Sequence, residues 1–226
     1  MSQPVLLFDV IETLFSLQPL RDRMAEEGLG EPYADLFFAQ LLRDAFALSA
    51  TGVFHPFPAI AAGTLKVVLS SAGKAADAPQ VKRLLSSFSE LPAHPDVAPA
   101  LAQARSAGVK IILLTNGSAD NTRQLVAREG LSALVDGIVS IDEHSVWKPQ
   151  PTLYQAVCKQ FNTPQAETTV IAAHAWDVHG ARQAGLRAVW VERQDHYFHE
   201  LMSAPSGEAR TLPEAVSMAL IRSGRH

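Results

Sequence analysis

The chain has 226 residues, 47% hydrophobic and 19% charged, the balance of a soluble globular protein with one α/β domain or a core carrying an insert. Its net charge of −4, without any block of Lys and Arg, gives no reason to expect nucleic acid or an anionic membrane as a partner. No apolar run reaches the roughly 18 residues of a membrane span.

The N-terminus runs almost directly into Pro4-Val5-Leu6-Leu7-Phe8, with no basic stretch, apolar stretch and cleavage site in series, so no secretory signal is expected. Val5 to Val10 is predicted as the first buried strand. From about Leu17 to Leu91 the composition shifts to Ala, Leu, Phe and Ser, with helical spacing over Tyr33 to Leu48 and Ala59 to Leu69 and no strand signal. Pro92 and Pro95 punctuate the return to an alternating pattern. There, helices over Ala98 to Ala107, Asp120 to Glu129, Pro151 to Phe161 and Asp177 to Ala184 are interleaved with short apolar strands. The strands cover Val109 to Leu114, Gly137 to Ile141 (the weakest), Val170 to Ala173 and Ala188 to Val191. Gly108, Gly130 and Gly185 stand where three of those helices end. Ser203 to Glu208 reads as a polar loop and Leu212 to Ile221 as a terminal helix. The single cysteine, Cys158, falls in a helical pattern as a core residue; it allows no internal disulfide, which suits a reducing cytoplasm.

Continuous apolar strands alternating with amphipathic helices predict an α/β fold, a Rossmann-like parallel sheet covered on both faces. The core is expected over residues 1–16 and 92–226, with a helical cap over 17–91 inserted after the first strand. Ligands of such sheets bind beyond the carboxyl ends of the strands, so the strand ends matter most.

The first strand ends at Asp9, followed by Val10, Ile11, Glu12 and Thr13. A partly desolvated carboxylate there suits a nucleophile that forms a covalent ester, and equally an Asp that caps a turn. The second ends Thr115-Asn116-Gly117-Ser118, offering donors to an anion or simply a helix cap. Trp147-Lys148-Pro149 sets a lysine in a stiff loop, where it either neutralises charge or lies at the surface before a helix. The fourth strand ends Ala172-Ala173-His174-Ala175-Trp176-Asp177, with an acid able to orient the lysine or a water and a histidine able to donate to an anion, act as a base or be structural.

Taken in order, these motifs resemble the haloacid dehalogenase superfamily over nearly the whole chain, the insert matching that family's helical cap. The phosphatase branch usually has a second Asp two residues after the nucleophile and paired acids in the fourth motif; here those places hold Ile11 and Ala173. The (S)-2-haloacid dehalogenase branch lacks that second Asp and needs no metal or other cofactor. The chain is similar to it at Phe8-Asp9, Thr13-Leu14-Phe15, Thr115 to Ser118, Lys148-Pro149, Tyr154 and Trp176-Asp177-x-x-Gly180-Ala181-Arg182. Its Ala172-Ala173-His174 resembles members with a histidine beside the halide.

The resemblance implies Asp9 as nucleophile, with Lys148, Asp177 and Thr13 as its catalytic partners. It implies Ile11, Phe38, Thr115, Asn116, Tyr154, His174 and Trp176 as residues around the substrate. The chain departs from the branch at Ile11 (usually tyrosine), Glu12 (usually glycine) and Ala172 (usually serine). The cap arginine of the branch matches Phe38 here, leaving Arg43, Arg21 and Arg23 as the nearest cations. Three functions follow for test: hydrolytic dehalogenation of a small 2-haloalkanoic acid, a magnesium-dependent small-molecule phosphatase, or a binding protein that has lost catalysis. The partner is a small molecule, and apolar cap helices such as Leu36 to Leu48 allow a homodimer.

Overall fold

The computed structural model describes residues 3–30 and 32–221. Six parallel strands form one sheet: β1 (Val5–Phe8), β2 (Lys110–Thr115), β3 (Gly137–Ser140), β4 (Thr168–Ala172), β5 (Arg187–Val191) and β6 (Gly207–Ala209). Their order is β3-β2-β1-β4-β5-β6. The expected α/β parallel-sheet class is what is observed. Apolar side chains on both faces of β1, β2 and β4 are buried, as strands covered by helices on each side require. The helices α5 (Val97–Ser106), α6 (Ala119–Arg128), α7 (Pro151–Gln160), α8 (Ala175–Gln183) and α9 (Leu212–Leu220) follow the strands or precede them.

Register brings the strand ends together. Phe8 lies opposite Leu113 on one side and Ile171 on the other, and the Asp9 amide donates to the Ile171 carbonyl at 3.1 Å. Beyond Asp9 the chain turns back on itself, with the Leu14 and Phe15 amides donating to the Val10 carbonyl. Glu12 in this turn has φ 64°, which explains why glycine is usual there. Its carboxylate holds the turn by accepting from the Leu17 amide at 2.6 Å and from Gln194.

The Ser16 amide then donates to Pro92, and the His94 amide to Leu14, so the chain leaves and returns to the sheet at adjacent points. Between them lie the helices α1 (Gln18–Glu26), α2 (Pro32–Ala50), α3 (Phe57–Ser71) and α4 (Ala78–Leu85), with no strand among the described residues. One continuous apolar core joins sheet and insert, from Phe8 and Leu113 to Phe37, Leu41 and Leu65. Cys158 is buried, its Sγ beside Thr168 Oγ1 at 3.6 Å.

One expectation is corrected. Ser203 to Glu208 is not wholly loop: Gly207–Ala209 forms the edge strand β6, with Val189 opposite Gly207. Three residues, two of them Gly and Glu, carry no strand pattern, and pairing to β5 alone makes the strand.

Helix α8 approaches the loop after β3 very closely. A Cβ on Gly180 would collide with the Pro149 carbonyl oxygen and stand 2.6 Å from its Cβ. Alanine in a helix is ordinarily better than glycine by about 1 kcal/mol. Here overpacking of about 1–3 kcal/mol outweighs that gain, and the strain falls on the residue next to Lys148. Gly180→Ala is therefore expected to lower both the urea midpoint and activity. A variant as stable and active as the parent would contradict this contact.

Candidate active site

Lys148 extends inward from the loop before α7 and is 1% exposed. Its neighbour Trp147 anchors the loop, donating from Nε1 to the His55 carbonyl at 2.9 Å, while the Lys148 amide donates to Asn116 Oδ1 at 3.3 Å. The ammonium makes three hydrogen bonds: to Asp9 Oδ1 at 2.6 Å, to Asp177 Oδ2 at 2.8 Å and to the Leu114 carbonyl at 3.1 Å. All three of its protons are thereby used. The other Asp9 oxygen, Oδ2, accepts from Thr13 Oγ1 at 2.6 Å and lies 3.2 Å from His174 Nδ1. Thr13 is itself fixed, its Oγ1 accepting from the Ala173 amide at 2.9 Å. Tyr154 donates its hydroxyl to Asp177 Oδ1.

These contacts set the charges. Burial alone would raise the Asp9 pKa, but Lys148 and the hydrogen bond and charge of His174 outweigh it and hold the carboxyl well below the usual range. Lys148 would lose its proton on burial alone, yet Asp177 and Asp9 keep it charged and above its ordinary value. Burial likewise works against a protonated His174; its hydrogen bond to Asp9 and the Asp9 charge reverse that and raise it. Asp177 is pushed up by burial and by the charge of Asp9, against the pull of Lys148.

A small cavity opens beside Asp9, with about 10 Å³ of room for the centre of a water molecule. The core lends it Asp9, Ile11, Thr115, Asn116, His174 and Trp176; the insert closes it with Phe38, Leu42 and Phe57. His174 stacks on Trp176 with ring centroids 5.1 Å apart, and Phe38 lies 6.0 Å from the imidazole. Asn116 gives its Oδ1 to Lys148, which leaves its amide N–H groups as donors.

Of the eleven residues expected around the reaction, seven line this cavity: Asp9, Ile11, Phe38, Thr115, Asn116, His174 and Trp176. Lys148, Asp177 and Thr13 touch Asp9 or its lysine from behind. Tyr154 does not line the cavity; it is fully buried with its hydroxyl on Asp177, so the substrate contact expected of it is replaced by a positioning contact. Leu42 and Phe57 were missed as wall residues, although Leu42 lies one helical turn from Phe38, the spacing that puts two side chains on one face.

No candidate cap arginine lines the cavity. Arg43 pairs with Asp44 at the surface, Arg21 pairs with Asp35 and Glu12, and Arg23 pairs with Glu90. Nor do the carboxylates suit Mg²⁺, which needs several free oxygen ligands. Both Asp9 and Asp177 face the Lys148 ammonium, and no group of three His, Cys, Asp or Glu able to hold a metal occurs among the described residues.

The family model of haloacid dehalogenase-like hydrolases matches residues 5–185. The chain belongs to that family. This dehalogenase-like hydrolase is 26% identical over 216 residues to (S)-2-haloacid dehalogenase H-109 of Pseudomonas putida, covering 94% of this chain and 96% of the relative. It is 24% identical to haloacetate dehalogenase H-2 of a Moraxella species, covering 88% and 89%. Its fold matches that of the L-2-haloacid dehalogenase of Xanthobacter autotrophicus, solved with chloropropionic acid covalently bound. That match has a TM-score of 0.89 at 23% identity, over 99% of this chain and 100% of the other.

Removing the shared cation tests the electrostatics of this hydrolase. Lys148→Met leaves two carboxylates buried without their partner, which costs about 3–5 kcal/mol at pH 7. Without the ammonium both carboxyls are pushed above their unfolded values, so protonation relieves the cost and the deficit against the parent shrinks as pH falls toward 5. Denaturant unfolding at the two pH values measures this; a deficit that is absent, or that grows on acidification, would contradict the shared-lysine account.

Proposed function

We propose that this family member hydrolyses a small 2-haloalkanoic acid through an ester of Asp9, with no cofactor. The observation that carries the reading is the setting of Asp9: a buried carboxylate paired with Lys148 and facing an apolar-walled cavity, with Ile11 where the resemblance puts the proton donor of a phosphatase. Phosphoryl transfer with an alcohol leaving group needs that donor; halide displacement needs none, because halide leaves unprotonated.

In the first step an Asp9 oxygen forms a bond to the carbon alpha to the substrate carboxylate as the carbon–halogen bond breaks and its electron pair leaves with the halide. Lys148 and Thr13 hold the carboxylate in line. Asn116, Thr115 and His174 supply donors for the substrate carboxylate and the departing halide, and Ile11, Phe38 and Trp176 exclude water. Tyr154 acts indirectly, by fixing Asp177. In the second step water attacks Cγ of Asp9, the acyl–oxygen bond breaks and the 2-hydroxy acid leaves. Residues 17–91 act as the cap that closes over Asp9. Every group named comes from one chain, so a homodimer would not be needed to build the site. Buried, unpaired Cys158 agrees with a cytoplasmic setting.

The names of the relatives from Pseudomonas and Moraxella support this substrate class. Magnesium-dependent phosphatase activity is disfavoured by the oxygens of Asp9 and Asp177 already engaged by Lys148.

Halide release from chloro-, bromo- and fluoroacetate tests the proposal, with Asp9→Asn as control. Release is expected from the parent and only background from the variant, with the haloacetates preferred over 2-halobutanoates because the cavity is so small. No halide from any of the three acids would overturn it.

A further inference from the structure

Of the two Asp9 oxygens, Oδ1 is set by the Lys148 ammonium and Oδ2 by the Thr13 hydroxyl. A hydroxyl holds an oxygen in place only as well as its own backbone is held. Thr13 lies in the turn after β1, next to Glu12, whose φ of 64° is strained for a residue with a side chain. The bonds that close the turn join the Glu12 amide to Phe15 and the Leu14 and Phe15 amides to Val10. None of them uses the Thr13 carbonyl, so the backbone that carries the hydroxyl is fixed from elsewhere.

Arg193, two residues past β5, fixes it. Its Nη2 donates to the Thr13 carbonyl at 2.9 Å and to Asp96 Oδ1 at 2.8 Å, while Nη1 donates to Asp96 Oδ2 at 3.2 Å. Such a two-pronged pair fixes the plane of the guanidinium as well as its position. Asp96, immediately before α5, is braced in turn: its Oδ2 accepts at 2.9 Å from the Leu212 amide at the start of α9. Gln194 holds the same turn through the Glu12 carboxylate. Arg193 is only 13% exposed, and its Nε is buried with no partner among the described residues. An unpaired buried donor costs stability, so this placement favours the Thr13 contact over the arginine's own hydrogen bonding.

We propose that Arg193 is a positioning residue for the ester-forming step: braced on Asp96, it fixes Thr13 so that the Thr13 hydroxyl keeps the Asp9 carboxylate in line with the carbon–halogen bond. This rests on the reading of Asp9 as the nucleophile. Arg193 does not border the Asp9 cavity; it faces a polar cavity of about 230 Å³ that shares Phe38, Leu42 and His174 with it. It touches no reacting atom, so its loss slows the displacement without weakening substrate binding. A small misplacement of a reacting group is enough for a large loss of rate.

The test follows halide release from chloroacetate in single turnovers at rising protein concentration, in ¹⁸O-labelled water. Arg193→Ala is expected to lower the limiting rate about ten- to a hundredfold, with half-saturation little changed. Arg193→Lys, which keeps the charge and one donor, should fall between, and it gives the same comparisons if the alanine variant does not fold. Arg187→Ala is the control for stability. It too removes an arginine that donates to backbone carbonyls, at the opposite end of β5, and should lower the urea midpoint while keeping the parental rate. The deciding background is Thr13→Val. There Arg193→Ala should still lower the urea midpoint but cost almost no further rate, because the hydroxyl it positions is gone.

An Arg193 variant with the parental rate, or one whose loss is as large in the Thr13→Val background as in the parent, overturns this role alone. So does weaker half-saturation at an unchanged limiting rate, which would make Arg193 a binding residue, or an equal loss of rate in Arg187→Ala. A parent that releases no halide, or releases it without heavy oxygen entering Asp9, overturns the nucleophile reading as well.

Discussion

The Lys148 ammonium faces two carboxylates in a place where all three groups are buried. Taking such charges out of water costs several kcal/mol per ion, and the arrangement holds only because each remaining proton and lone pair finds a partner. The Leu114 carbonyl takes the third ammonium proton, Thr13 and His174 meet the outer oxygen of Asp9, and Tyr154 closes Asp177. Much of the surrounding fold keeps that lysine in place. Trp147 is tied to the insert through His55, Asn116 holds the Lys148 amide, and Gly180 lets α8 press against Pro149.

From this shared cation comes a division between two acids of the same type. Asp9 stands at the cavity, kept ionised and open to a substrate. Asp177 has the same lysine but is sealed behind it, so its work is to hold charge and position. At the position where the resemblance implied a cap arginine, this chain has Phe38 against His174. The imidazole there borders the cavity, and its hydrogen bond to Asp9 and the Asp9 charge raise its pKa against burial.

Much of this was legible in the sequence, because strand-end motifs are local. Apolar runs ending beside Asp9 and at Thr115, and a third leading into Asp177 in the first turn of α8, put those residues at one edge of the sheet. The contents of the insert were legible only as helices. Whether Arg21, Arg23 or Arg43 reached the site depended on how α1 and α2 rotate against the core, and nearby acids claim all three. Leu42 and Phe57 became walls by the same non-local packing. Tyr154 lies on Asp177 and not on the cavity, and spacing on α7 shows a face and not a partner. The edge strand β6 had no pattern of its own to read.

The central claim is that a carboxylate oxygen of Asp9, and not water, attacks the substrate carbon. A single turnover with protein in excess over chloroacetate in ¹⁸O-labelled water tests it most directly. The account predicts heavy oxygen in the Asp9 side chain and ordinary oxygen in the hydroxyl of the released acid. Heavy oxygen in the product hydroxyl, with none in Asp9, would contradict it.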